Sequence, residues 1–120
     1  MSISNYAENK LLDTIRGTSF SVSNAYLKLH TGDPGEDATA NAATETTRKV
    51  VAFSAASSGS MASSGTVEWT NVSTTETVTH WSLWDAASSG NALWSGALAS
   101  SAALTAGDTF QITSLTITLD

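Results

Sequence analysis

The chain has no cysteine, a single proline and only five basic residues among 120, and each shortage removes a class of function. Without cysteine there is no disulfide framework, no thiolate metal site and no sulfur nucleophile, and the redox compartment is left open. The five basic residues, Lys10, Arg16, Lys28, Arg48 and Lys49, face eleven acidic ones, for a net charge of −6. Nucleic-acid backbones are held by clustered Lys and Arg. Here only Arg48 and Lys49 are adjacent, so neither nucleic acid nor an anionic membrane is an expected partner. No apolar run approaches the roughly 20 residues that span a bilayer. The N-terminal MSISNYAENKLLDTIRG lacks the basic-then-apolar order of a secretory signal. The expectation is a soluble protein made in the cytoplasm.

What remains is a chain in which Ser and Thr make up nearly a third of the residues, 41% are apolar and four are tryptophan. Thr favours strands and Ser favours turns, so the composition points to short strands with hydroxyl-lined outer faces. At 12.4 kDa one domain is expected. A chain of this size buries roughly two-thirds of its unfolded surface, enough for a core without metal or disulfide.

The sequence contains one convincing helix, residues 5–16, in which Ala7, Leu11, Leu12 and Ile15 form an apolar stripe. Asn5 is the expected cap, with Glu8 three residues on, and Gly17 the expected left-handed stop. The stripe predicts a helix packed on a sheet. The period then changes to two. In NAYLKLHT, Ala25, Leu27 and Leu29 face one side and Tyr26, Lys28 and His30 the other. Residues 31–46, which hold the proline, are too long and polar for a hairpin and read as an exposed loop or arm.

RKVVAFSA (48–55), TVEWTNV (66–72), TVTHWSLWD (77–85) and ALWSGAL (92–98) follow as strands. Val51 and Phe53 share a face, as do Val67 and Trp69. The closing TFQITSLTITLD changes parity between Ile112 and Leu115, which predicts a bulge or kink near Thr113–Ser114. About six strands separated by turn signals, with one N-terminal helix, predict an all-β fold, an antiparallel β-sandwich.

Three tryptophans fall within THWSLWDAASSGNALWSGAL. Trp81 and Trp84 are three residues apart, so on a regular strand they point to opposite faces and cannot line one flat platform. Trp81 is expected beside Leu83, and Trp84 beside Val78 and His80. Trp94, across the AASSGN turn, could join either. The tryptophans are read as mainly structural. His30 and His80 lie on different strands with no third ligand marked beside them, so no metal site is expected. No nucleophile-elbow pattern surrounds any serine. Asp33, Glu36 and Asp37 do not follow the alternating pattern of a calcium loop. The expectation is no catalytic residue, no cofactor and no enzymatic activity.

Four segments carry a resemblance: NKLLD, YLKLHTGDPGE, VTHWSLWDAASSGNALWSGAL and AGDTFQITSLTITLD, in that order. Together they resemble a family of small virion proteins of tailed bacteriophages, often labelled tail-fibre or minor structural proteins. Its members read as a helix, a YLALHTADPGE-like strand and loop, a THFxLWDAATGGNLL-like hairpin and a GDTLxFxxGxLTITLD-like closing strand. This chain departs from that pattern between residues 38 and 48, where TANAATETTR replaces a glycine-rich stretch ending in Tyr-Ala-Arg and only Arg48 is kept.

The resemblance implies a non-enzymatic structural protein located in the virion and present in many copies or as a homo-oligomer. Its partners would be other virion proteins, a capsid or a tail protein. Between locations, the small size favours a head decoration or cement protein on the outer capsid surface. The alternative is a tail-fibre or tail-tip component, with carbohydrate binding on a host receptor as a further possibility. Asp33, Pro34, Glu36, Asp37, Arg48, Trp84 and Trp94 are the candidate partner contacts. The helix offers a second face for a symmetry mate.

Overall fold

The structure, a computed structural model, describes residues 1–119. Two strands form its spine. Strand β2 (Ala25–His30) and strand β6 (Glu76–Trp84) pair antiparallel, with Leu27 opposite Leu83 and Leu29 opposite Trp81. These four side chains, at alternate positions, are all buried on the inner face. Around the spine lie β1 (Ser2–Ile3), β7 (Ala92–Leu104) and β3 (Lys49–Val51), giving a five-stranded sheet in the order β1-β7-β6-β2-β3.

Two small antiparallel sheets contribute the second layer. One joins β4 (Ser60–Ala62) to β9 (Thr116–Thr118), the other β5 (Val67–Trp69) to β8 (Phe110–Ile112). Their Val67, Trp69, Ile112 and Ile117 share one buried cluster with the inner face of the large sheet. Trp69 stacks on Phe110 at 5.9 Å, and its Nε1 donates to the Thr47 carbonyl at 2.8 Å. The fold is all-β apart from one helix, as the alternation predicts. The strands beyond six are short: β1 has two residues, β4 lies inside the small-residue stretch SSGSMASSG, and the closing segment splits in two.

That split occurs where the parity changes. Ile112 ends β8, Thr116 begins β9, and the chain passes between them from one small sheet to the other. Both sets, Phe110 and Ile112 then Leu115 and Ile117, thereby pack against the core.

The helix α1 (Asn5–Ile15) starts at the residue the sequence suggests, but Asn5 is not its cap. Its cap is Ser4, whose side chain accepts from the Ala7 N–H at 3.1 Å. Ser4 also donates through its N–H to the Leu93 carbonyl and through Oγ to the Ala92 carbonyl. A hydroxyl bonded on both sides makes the better cap here, because it fixes the helix to β7 while closing its first turn. At the other end Thr18 N–H bonds to Asp13 O and Gly17 N–H to Thr14 O, with Gly17 at φ +93°. These are the two bonds of a Schellman stop.

The face of Val78 departs from the strand parity. It is fully buried in the main cluster with Trp81 rather than beside Trp84. The departure coincides with a register shift: Val78 lies opposite Ala102, but His80 lies opposite Ala97, so β7 carries extra residues and the ladder between the two strands is irregular at this point. Opposite Trp81, Gly96 admits the indole; a Cβ there would come within 2.6 Å of the ring.

Candidate functional site

The outer face of the large sheet carries the residues that alternate with the core: Tyr26 opposite Trp84, Lys28 opposite Ser82 and His30 opposite His80. Trp84 is nearly covered, at 9% exposure, and packs with Ala38 and Ala92. The Arg48 guanidinium lies 3.9 Å from the Trp84 ring centroid, and the Lys28 ammonium lies 5.9 Å away. Arg48 Nη1 also donates to the carbonyls of Ala86 and Ser89, at 2.9 and 2.7 Å. Arg48 therefore fastens the AASSGN turn to the sheet. That turn is closed from within by Asp85, whose carboxylate accepts from the backbone and side-chain nitrogens of Asn91. Burial and, next, the charge of Arg48 hold Lys28 below its ordinary pKa.

A hydrogen-bonded chain runs beneath this face. Trp84 Nε1 donates to Ser82 Oγ at 2.7 Å, and Ser82 Oγ lies 2.7 Å from His30 Nε2. His30 Nδ1 lies 2.9 Å from the Ala40 carbonyl and must donate to it. Ser82 then donates to Nε2, which leaves His30 neutral with its proton on Nδ1. Burial lowers the pKa of His30 and supports that state. Both ring nitrogens are occupied. Although His80 is directly opposite, no group of three potential metal ligands converges among the described residues.

Segment 31–46 is exposed along much of its length yet is bound at many points to its own sheet. Thr31 N–H bonds to Asn41 O, Ala40 N–H to Pro34 O and Ala43 N–H to Leu29 O. The Glu76 carboxylate receives the N–H groups of Thr44 and Glu45. Pro34, Ala38 and Ala43 are buried. The segment is a cover rather than a reaching arm, because its backbone groups are paired partly within the segment and partly with Leu29 and Glu76 of the sheet, instead of with water.

The candidate contacts thus separate into groups. Arg48 and Trp84 come together, and Ala38 brings the covering segment against them. Pro34 is buried. Asp33 accepts from the Gly35 N–H, forming a local turn, while Glu36 and Asp37 are exposed. Trp94 lies on the other side of the sheet, opposite Leu83, where it is partly buried. Ser82, Glu76 and Ala40, which complete the outer-face network, carried no signal in the sequence, since their partners are distant in the chain.

A second region was half legible. Of the helix's apolar stripe only Ala7 is buried; Leu11 is half-buried, and Leu12 and Ile15 are 64% and 84% exposed. At 3.6 residues per turn Leu12 is turned about 140° away from Ala7, so both cannot meet the same sheet. Leu12 and Ile15, together with Ile3, Leu11 and Leu119, line an open apolar groove with Glu8 at its edge. A neighbouring groove shares Leu11 and Leu119 and continues over Met61, Trp94 and Ile117.

No curated protein matches the chain. A family model described as podophage GP4 fiber I protein gp80 matches residues 2–120, and the chain belongs to that family of phage virion structural proteins.

Proposed function

We propose that the chain is a non-enzymatic building block of the tail fibre, present in several copies and held by other virion proteins. The observation that carries this reading is the fibre family's match along residues 2–120. The disposition of the surface supports it. Segment 31–46 and the Arg48–Trp84 pair are engaged with their own sheet, whereas the apolar face beside α1 is open. Contiguous exposed apolar surface in a structural protein is ordinarily covered by a neighbour. The attachment face is therefore the α1 groove, with Glu36 and Asp37 at most a polar rim elsewhere. Carbohydrate stacking on Trp84 has little to recommend it, because Arg48 already occupies the ring.

Quantitative mass spectrometry of purified virions, paired with immunogold labelling, tests the proposal. Copy numbers far below that of the major capsid protein, with label on the tail, are expected. A copy number near that of the capsid protein, with label on the head, would overturn it in favour of capsid decoration.

A further inference from the structure

The open face beside α1 has a charge pattern as well as an apolar one. Leu12 is exposed at the centre of the helix surface, and Glu8 and Arg16 stand four residues to either side of it, within about 40° of the same direction. Glu8, at the groove, has no ion-pair partner among the described residues, whose single salt bridge joins Arg16 to Asp13 at 3.5 Å on the exposed side. Such an arrangement is self-complementary. If a second α1 is laid antiparallel across the first with Leu12 on the two-fold axis, each Glu8 is level with the other chain's Arg16. Both side chains are long enough to meet across the seam, and the two pairs form at once, as an isologous contact requires.

We infer that this face pairs with a second copy of the chain through an antiparallel α1–α1 contact centred on Leu12, with Ile15 and Leu119 covered at its flanks. The occupant follows from the charges. A chain with net charge −6 repels its copies at long range, so a contact between copies needs opposite charges in register around its apolar centre. Glu8 and Arg16 supply them. A single short helix and its groove bury less than the roughly 800 Å² per partner of a standard interface. The pairing is accordingly weak in solution and is reinforced where copies are held close together, as on a fibre. The inference rests on the reading of this face as an attachment surface, but not on where in the virion the protein sits.

Sedimentation velocity of the intact protein, over concentrations from about 5 to 500 µM, tests it in the micromolar-to-millimolar range expected of such contacts. The wild type is expected to shift from monomer toward dimer as concentration rises. Leu12→Asp and, separately, Ile15→Ser should leave it monomeric throughout, with an unchanged circular dichroism spectrum. Glu8→Arg alone and Arg16→Glu alone should each weaken the dimer at least fivefold, whereas the double variant, with both charges exchanged, should recover it. A wild type that stays monomeric at every concentration would overturn the inference. So would a trimer, a dimer that survives Leu12→Asp, or a double exchange that fails to restore pairing. A dimer that behaves as expected in a protein found on the head would leave the inference standing and remove only the fibre assignment.

Discussion

Two faces of this small protein solve the same problem in opposite ways. On the outer face of the large sheet, a tryptophan and a histidine lie where solvent would reach them, and the chain covers them itself with segment 31–46, Arg48 and the AASSGN turn. Beside α1, Leu12, Ile15 and Leu119 are exposed, and none of the described residues covers them. The first face is closed by hydrogen bonds and one guanidinium; the second is left for a neighbour. Substitutions on the closed face should therefore alter stability, and those on the open face should alter assembly.

The largest effect is expected from Trp84→Ala. It empties the space between Ala38, Ala92 and Arg48 and should destabilise the fold by about 3–5 kcal/mol, read from the denaturant midpoint. Next is His30→Ala, which strips the Ala40 carbonyl and Ser82 of their partner; a loss of about 1–3 kcal/mol is expected. A pH experiment sharpens the point. Burial depresses the folded-state pKa of His30 below its ordinary 6.5, so the unfolded chain takes up the proton first. The contribution of neutral His30 is complete above 6.5 and is lost as pH falls from there toward the folded value. Denaturation curves between about pH 8 and pH 5.5 should show this loss in the wild type and less of it in His30→Asn. An equal slope in the two proteins would argue against a buried neutral histidine.

Arg48→Lys keeps the charge but cannot reproduce both the close guanidinium contact with the Trp84 ring and the paired bonds to Ala86 and Ser89. Roughly 1–2 kcal/mol should be lost by the same measurement. The smallest effect belongs to the open face: Leu12→Ser should change monomer stability by no more than about 0.5 kcal/mol. A large loss there would mean that Leu12 is packed within its own chain, and the contrast between the two faces would fail.

How far these faces could be foreseen depends on the reach of the interactions that make them. Opposite orientation of Trp81 and Trp84 follows from their spacing alone, and both ends of α1 follow from residues within a few positions, although Ser4 rather than Asn5 is the cap. The break near Thr113–Ser114 was visible as a change of parity. By contrast, the partners of His30 are Ala40 and Ser82, those of Glu76 are Thr44 and Glu45, and Arg48 reaches Ala86 and Ser89. No local pattern announces pairings across tens of residues. The same limit explains the helix. Its apolar stripe was plain, but which part of the stripe would meet the sheet depended on where Ser4 fixed it to β7.

The sequence by itself thus determined the strand-rich composition, the alternation that separates core from outer face and the capped helix, because these depend on residue type and short spacing. Only the tertiary structure decided that the polar segment 31–46 folds back as a cover and that the apolar helix face stays open. Both outcomes depend on which backbone and side-chain groups remain unpaired once distant strands have come into register.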